Sequence, residues 1–264
     1  MKTQLGINGA CGRMGLRIVQ LVHCDPELQV ACALERADHP KLGHDIGELA
    51  GLGKLGVPLT AKPPGPVEVF IDFTTPEATM IILSHCLIHK APLVIATTGH
   101  TPEQRAEIDT AAHEIPVLVA PNMSLAVNLL MKLVGDAAAK LKDHPSGVDV
   151  EIIERHHRFK HDAPSGTALA FGKIVSEAMG QTRAVHGRHG RPGERPRDEI
   201  GYHALRTGDN VGEHTIVFGM LGETLELTHR AHSRDCYALG TLEAAKFLVT
   251  KKAGTYTMAD VLKL

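Results

Sequence analysis

Leu5-Gly6-Ile7-Asn8-Gly9-Ala10-Cys11-Gly12-Arg13-Met14-Gly15 runs a short apolar segment into a glycine-punctuated turn, and a helical pattern follows from Met14 to about His23. Glycines let a chain turn tightly at the end of a strand, and the unpaired N–H groups opening the next helix then point outward, where an anion such as a pyrophosphate is stabilised. The candidate residues for that contact are Gly9, Ala10, Cys11, Gly12, Arg13 and Met14. The spacing is G-x-x-G-x-x-G, with Cys11 standing where a dinucleotide fingerprint has its middle glycine, so the turn alone decides little. Glu35 strengthens it. It lies about 20 residues beyond Gly15, closing a second strand-like segment, Leu28 to Leu34, where a carboxylate accepts from a ribose hydroxyl. Arg36 follows. The carboxylate favours NAD and the guanidinium suits the 2′-phosphate of NADP, so the pair predicts NADH, NADPH or both as cofactor.

Outward from this turn the same unit recurs. Val67 to Phe73 reads as a buried strand, and Pro76 opens a helix to about His89. Leu93 to Ala96 leads through Thr97-Thr98-Gly99 into a helix with Thr101 at its N-cap and Pro102 next. Val117 to Ala120 leads through Pro121-Asn122-Met123-Ser124 into a helix from Leu125 to Leu141. Repeated strand, turn and helix predicts a parallel sheet with crossover helices, whose ligands sit at the carboxyl ends of the strands. Asp38 to Pro66 reads as Gly- and Pro-rich loops with one short element at most.

After residue 146 the pattern changes to longer strands, Val148 to Arg155, Ile200 to Arg206, Val211 to Phe218 and Thr224 to Arg230, with one helix, Gly166 to Met179. His186 to Arg197 reads as a flexible basic loop. A last helix, Cys236 to Val249, and the tail from Tyr256 return to the first unit. The expected fold is therefore α/β: a Rossmann-like, doubly wound parallel-sheet domain over 1–125, completed by 236–264, plus an α+β substrate-binding and oligomerisation domain with a mixed sheet over 126–235. Short linkers place an expected hinge near Met123 to Ala126 and Arg234 to Cys236.

The 264 residues carry 28 Lys+Arg against 30 Asp+Glu, so no global field favours nucleic acid or anionic membranes. Five scattered cysteines without a C-x-x-C pair argue against a disulfide framework, and no apolar run reaches the roughly 20 residues that span a bilayer. With no secretory signal at the N-terminus, a cytoplasmic location is expected.

The second chemical motif is Glu154-Arg155-His156-His157-Arg158-Phe159-Lys160-His161-Asp162-Ala163-Pro164-Ser165-Gly166-Thr167. Titratable groups follow directly on a strand, and Ser-Gly-Thr opens a helix whose N-terminus attracts anions. With His157 and Lys160 nearby, the motif suits a small polycarboxylate, and His156 exchanges a proton near neutral pH. No metal is expected among these histidines, because H-E-x-x-H is missing and the interspersed Lys and Arg repel a cation. His186, His189, His203, His214, His229 and His232 have no ligand-like spacing and receive no role.

Across nearly the whole chain these motifs resemble the dihydrodipicolinate (4-hydroxy-tetrahydrodipicolinate) reductase family. The resemblance rests on Gly9 to Gly15, Glu35-Arg36, Phe70-Ile-Asp-Phe-Thr74 with Pro76-Glu77, Thr97-Thr98-Gly99, Asn122 with Asn128, and above all E-x-H-H-R-x-K-x-D-A-P-S-G-T-A from Glu154 to Ala168. It implies NAD(P)H-dependent reduction of the dehydrated form of 4-hydroxy-tetrahydrodipicolinate, a cyclic dicarboxylate, in the diaminopimelate route to lysine. It further implies His156 as proton donor or acceptor and Lys160 as second acid, with His157, Lys160, Ser165, Gly166 and Thr167 holding the carboxylates. Ala96, Thr97 and Thr98, together with Ala120, Pro121, Asn122 and Met123, become nicotinamide and ribose contacts, and a homotetramer is implied. Ala96 stands where the family often has Gly, and Thr75 where it commonly has an Arg that would hold a cofactor phosphate. Two competing readings are a non-catalytic nicotinamide sensor and a dehydrogenase of another small carboxylate. The intact His156 and Lys160 disfavour the first, and the compact H-H-R-x-K and S-G-T arrangement the second.

Overall fold

A computed structural model describes residues 1–264 and divides them into two units, Met1–Leu125 with Asp235–Leu264, and Ala126–Arg234. The first unit follows the chain as β1 (Thr3–Asn8), α1 (Arg13–Cys24), β2 (Leu28–Leu34), α2 (Ile46–Leu49), β3 (Leu59–Thr60), β4 (Val69–Asp72), α3 (Pro76–His89), β5 (Leu93–Ile95), α4 (Pro102–Ala111) and β6 (Pro116–Val119). The second holds α5 (Leu125–Leu141, all but its first residue), β7 (Asp149–His156), α6 (Gly166–Met179), β8 (Arg183–His186), β9 (Glu199–Arg206), β10 (Gly212–Met220) and β11 (Glu223–Ala231). The chain then re-enters the first unit with α7 (Asp235–Leu248), β12 (Gly254–Tyr256) and α8 (Met258–Leu262).

The first sheet has the order β12-β6-β5-β4-β1-β2-β3, and every pair in it is parallel. This is a doubly wound Rossmann sheet whose strand order reverses between β1 and β4, the switch point where such sheets bind ligands. Parallel strands covered on both faces read as continuous apolar runs, and Val69-Phe70-Ile71 of β4 are each fully buried. The strand ends in Asp72, also fully buried, whose carboxylate accepts from Asn8 Nδ2 (2.8 Å) and from the hydroxyls of Thr74 (2.5 Å), Thr79 (2.6 Å) and Thr97 (2.7 Å). One carboxylate thus fixes the ends of β1 and β4, the first turn of α3 and the turn after β5. α3 begins where Pro76 follows the N-cap Thr75, and α4 carries a full capping box between Thr101 and Gln104.

Asp235, assigned to the substrate domain from sequence, belongs to the first unit. It opens α7, and its two carboxylate oxygens take Arg17 Nε and Nη2 of α1 at 2.7 Å each.

In the second unit the sheet order is β11-β10-β7-β9-β8, antiparallel up to β7 and parallel beyond it. Alternation along β7 turns Val150, Ile152, Glu154 and His156 inward, onto a core shared with α5 (Val127, Leu130, Val134) and α6 (Phe171, Val175). The short strand β8 is absent from the sequence reading, because four residues with little burial give no periodic signal. The basic segment read as flexible is fastened to the sheet. Arg188 donates to Glu151 and Glu199, and Arg195 to Glu151 and Asp149. No helix is long and apolar enough to cross a membrane.

Candidate active site

The glycine turn leaves β1 at Gly9, whose φ of +82° is the left-handed region that glycine occupies at little cost. Gly12 is the N-cap of α1, and Gly15 sits one turn into the helix, where an added Cβ would lie 2.2 Å from the Gly9 carbonyl oxygen. The helix thus packs directly on the strand end, and its first N–H groups open at the switch point. Glu35 closes β2, and its Oε1 accepts from the Cys11 N–H at 3.1 Å. The acidic group is held beside the turn before any ligand arrives. Arg36 reaches the other way, to Asp38 at 3.0 Å, in an exposed pair. A close-packed glycine turn at the switch point with a carboxylate fixed at its lip fits a dinucleotide, the ribose on Glu35 and the pyrophosphate at the start of α1.

Four further sequence candidates in this unit lie just beyond the ends of β5 and β6, with distinct roles for side chain and backbone. Thr97 is buried, its hydroxyl donating to Asp72 and accepting from the Thr74 N–H (2.9 Å), so the side chain is already committed within the protein. Asn122 Oδ1 accepts from the Ser124 N–H at 2.9 Å, an Asx turn that shapes the segment Ala120 to Met123. Ala96 N–H donates to the Asp72 carbonyl (3.0 Å) and Ala120 N–H to that of Ile95 (3.1 Å), which sets both turns at neighbouring strand ends.

In the second unit the chemistry gathers around Glu154, fully buried at the end of β7. Arg206, paired with His156 in register at the end of β9, forks onto the carboxylate with 2.8 Å and 2.7 Å contacts. The Ser165 N–H donates to Oε1 (3.1 Å), and His156 Nδ1 lies 2.6 Å from Oε2. Burial works against ionisation of Glu154, but the hydrogen bonds from Arg206 and His156 outweigh it and hold the carboxyl below its usual range. An ionised carboxylate accepts only, so His156 Nδ1 carries the proton and Nε2 is left for reaction. Burial pulls the His156 pKa below its ordinary value, Glu154 opposes this, and Lys160 and Arg206 add to the lowering. His156 is accordingly a neutral imidazole near pH 7. Lys160 lies on the turn after it, its ammonium 2.8 Å from Asp162.

His214 stands behind this pair, its ring 5.2 Å from that of His156 and its Nε2 3.0 Å from Ser165 Oγ. Burial, with a smaller push from His156, takes its pKa down to about 3, so it is a neutral packing and hydrogen-bonding group. Ser165 is the N-cap of α6, accepting from the Ala168 N–H at 3.2 Å, and is itself buried. Its side chain therefore builds the helix start, while the exposed Gly166, with open space where a Cβ would stand, gives an anion room to reach the backbone. His157 Nδ1 is buried without a partner. Arg206 and His214 escape a reading of the sequence because they lie far from the motif along the chain; only the sheet register brings them to it.

A Rossmann sheet with a fitted dinucleotide turn, carried with a second unit that holds a buried Glu-His pair and a lysine at a helix start, defines a nicotinamide-dependent oxidoreductase. Family models for the N-terminus and C-terminus of dihydrodipicolinate reductase match residues 3–123 and 126–262. The chain is 51% identical over 266 residues to a 4-hydroxy-tetrahydrodipicolinate reductase from Rhodopirellula baltica, covering 98% of this chain and 95% of the relative. It is 46% identical to one from Geotalea uraniireducens, with 99% of both chains covered. A dipicolinate-bound dihydrodipicolinate reductase from Paenisporosarcina sp. TG-14 is similar in structure, with a TM-score of 0.75 at 26% identity, covering 98% of this chain and 99% of that one. The chain belongs to the dihydrodipicolinate reductase family.

Proposed function

We propose that the protein reduces the dehydrated form of 4-hydroxy-tetrahydrodipicolinate to tetrahydrodipicolinate, in the diaminopimelate route to lysine, and that it accepts both NADH and NADPH. The observation that carries this reading is the buried Glu154 holding His156 in one tautomer beside Lys160 and the α6 helix start, within a chain of this family. The substrate is a small dicarboxylate, the class of ligand bound by the similar solved reductase.

The nicotinamide cofactor, when bound, supplies a hydride to the ring. The chain's own residues do the rest. Gly166 and Thr167 at the start of α6, with His157 and Lys160, hold the carboxylates through N–H groups and positive charge. Hydride addition leaves electron density on the conjugated ring, and the ring takes a proton in compensation. Lys160 as ammonium donates it or steadies the developing charge. His156 Nε2, with Nδ1–H anchored on Glu154, relays a proton between Lys160 and solvent.

Glu35 favours NADH; Arg36 is turned toward Asp38 and Thr75 replaces a family arginine, so use of NADPH rests on Arg36 leaving that exposed pair. The family's homotetramer fits the sheet face opposite α5 and α6, where Ile153 and Leu205 remain 38% and 37% exposed. The location is cytoplasmic.

The test is a coupled assay in which the preceding synthase makes substrate in situ from pyruvate and aspartate semialdehyde. Oxidation of NADH or NADPH that needs both the synthase and this protein is the expected result. No oxidation from folded protein that still binds a nucleotide overturns the assignment.

A further inference from the structure

Beside the glycine turn lies a group of side chains that the reductase reading uses only in part. The ligand atoms of Cys11, Glu35 and His39 all lie within 4.8 Å of one another, and each of the three residues is half-buried. They come from separate places: Cys11 from the turn after β1, Glu35 from the end of β2, and His39 from the turn beyond it, where its N–H donates to the Arg36 carbonyl at 3.0 Å. The Cys11 N–H bond to Glu35 Oε1 fixes two of the three relative to each other.

We propose that Cys11, Glu35 and His39 form a site for a thiophilic divalent cation of the zinc class, and that the cation and the nucleotide exclude each other there. Thiolate, imidazole and carboxylate are the donor types that zinc, cobalt and cadmium take, whereas magnesium and calcium prefer oxygen alone. Zinc-to-ligand distances of about 2.0–2.3 Å put donors around one ion roughly 3–4 Å apart, a small contraction from the separation found. Three protein donors leave the fourth tetrahedral position to water. Binding releases the Cys11 proton to solvent, and the resulting thiolate with the Glu35 carboxylate balances the two positive charges of the ion. Of the neighbouring cations, Arg36 is paired with Asp38, and Lys41 remains as an opposing charge that limits affinity; its backbone N–H also donates to His39 Nδ1 at 3.3 Å, a long contact that an ion at that nitrogen must displace. Exclusion of the nucleotide rests on the cofactor reading above: an ion held between Cys11 of the turn and Glu35 lies where the ribose approaches that carboxylate.

Cobalt(II) titration of the untagged, reduced protein tests this, because a thiolate ligand gives a sulfur-to-cobalt charge-transfer band that histidines alone do not. That matters here, since the His85 and His89 rings lie 4.3 Å apart, tilted by 36°, on α3 and offer a competing imidazole pair without a thiol. The expected result is a band that saturates at one equivalent, disappears in Cys11→Ala, weakens at least tenfold in affinity in His39→Ala, and fades as NADH is added. The variants' melting curves establish that they are folded. No band, or the same band in folded Cys11→Ala, overturns the site. A band that persists while calorimetry shows NADH binding overturns the exclusion. A band in protein that binds no NADH supports the metal site, overturns the exclusion, and separately sinks the cofactor reading.

Discussion

Glu154 Oε2 lies 2.6 Å from His156 Nδ1, and the two side chains are only 1% and 10% exposed. A buried carboxylate so placed dictates which imidazole nitrogen carries the proton, and Arg206 keeps the carboxylate ionised and oriented. Glu154→Gln presents an amide that can donate as well as accept, so the tautomer is no longer enforced. The expected loss in kcat is roughly two to four orders of magnitude, with cofactor affinity unchanged. The pH profile moves too. Glu154 raises the His156 pKa against burial, Lys160 and Arg206, while His214 stays neutral, so removing the carboxylate shifts the His156 limb of kcat/KM to lower pH. Glu154→Asp should recover part of the rate. A variant with lower kcat but an unmoved profile would reduce Glu154 to packing.

Lys160 and His156 are separable by charge. Lys160→Ala and His156→Gln each lower turnover by roughly a hundredfold or more, but Lys160→Ala also raises KM, because the ammonium both holds the substrate and supplies its proton. Lys160→Arg restores KM without restoring kcat, since a guanidinium does not give up its proton. Steady-state kinetics of the three variants decide this, and an unchanged KM in Lys160→Ala removes the binding role.

Much of the molecule was legible in the chain because its signals are local. The glycine turn, Glu35 and the run from Glu154 to Thr167 are contiguous or set at fixed offsets, and the apolar runs that alternate with helical patterns mark a parallel sheet. What stayed hidden depends on register. Asp72 gathers three threonines and an asparagine from four elements, and Arg206 meets Glu154 only because β9 pairs with β7 so that residue 206 faces 156. The hydroxyls of Thr97 and Ser165 serve Asp72 and the α6 cap with His214, which leaves their backbone groups for any ligand. A polar side chain at a strand or helix end has two satisfactions open to it, ligand or backbone, and the sequence does not distinguish them.

Gly15 and Gly12 differ in what surrounds them. A Cβ at Gly15 meets Gly9 O at 2.2 Å and Ala10 Cα at 2.7 Å, backbone atoms that move only with the turn itself, whereas at Gly12 the nearest atom is 3.2 Å away. Gly15→Ala should cost about 1–3 kcal/mol of stability, the usual scale of overpacking, and weaken cofactor binding at least tenfold. Gly12→Ala should melt close to wild type. Thermal melts and NADH titrations of the two variants are the check, and equal melting temperatures would contradict the packing.

Thr75 bears on cofactor choice. It caps α3 through a long 3.4 Å acceptance from the Ala78 N–H, so replacing it costs under about 1 kcal/mol. Thr75→Arg should raise the NADPH to NADH ratio of kcat/KM several-fold, and Glu35→Ala should lower NADH affinity more than NADPH affinity. Ratios that stay at the wild-type value in both variants would place selectivity elsewhere.

Glu151 gives the acid limit of the second unit. Burial opposes its ionisation, but hydrogen bonds from Arg188, His203 and Arg195 take its pKa down to about 2. The carboxylate lies over Gly201, where a Cβ would fall 1.9 Å from Oε2, so the sheet leaves space for it at that one register position. A folded pKa below the unfolded one means that this stabilisation is complete above the unfolded value of roughly 4.3. It is lost as pH falls from there toward 2, when protonation removes the Glu151 share of the fastening and leaves Arg188 on Glu199 and Arg195 on Asp149 and the Val150 carbonyl. Melting temperature should therefore drop steeply over that interval in the wild type. Glu151→Gln should start lower at pH 7 and show a shallower drop, and limited proteolysis should cut between Gly187 and Asp198 in the variant at a pH where the wild type resists. Parallel pH slopes in the two proteins would show that other carboxylates set the acid limit.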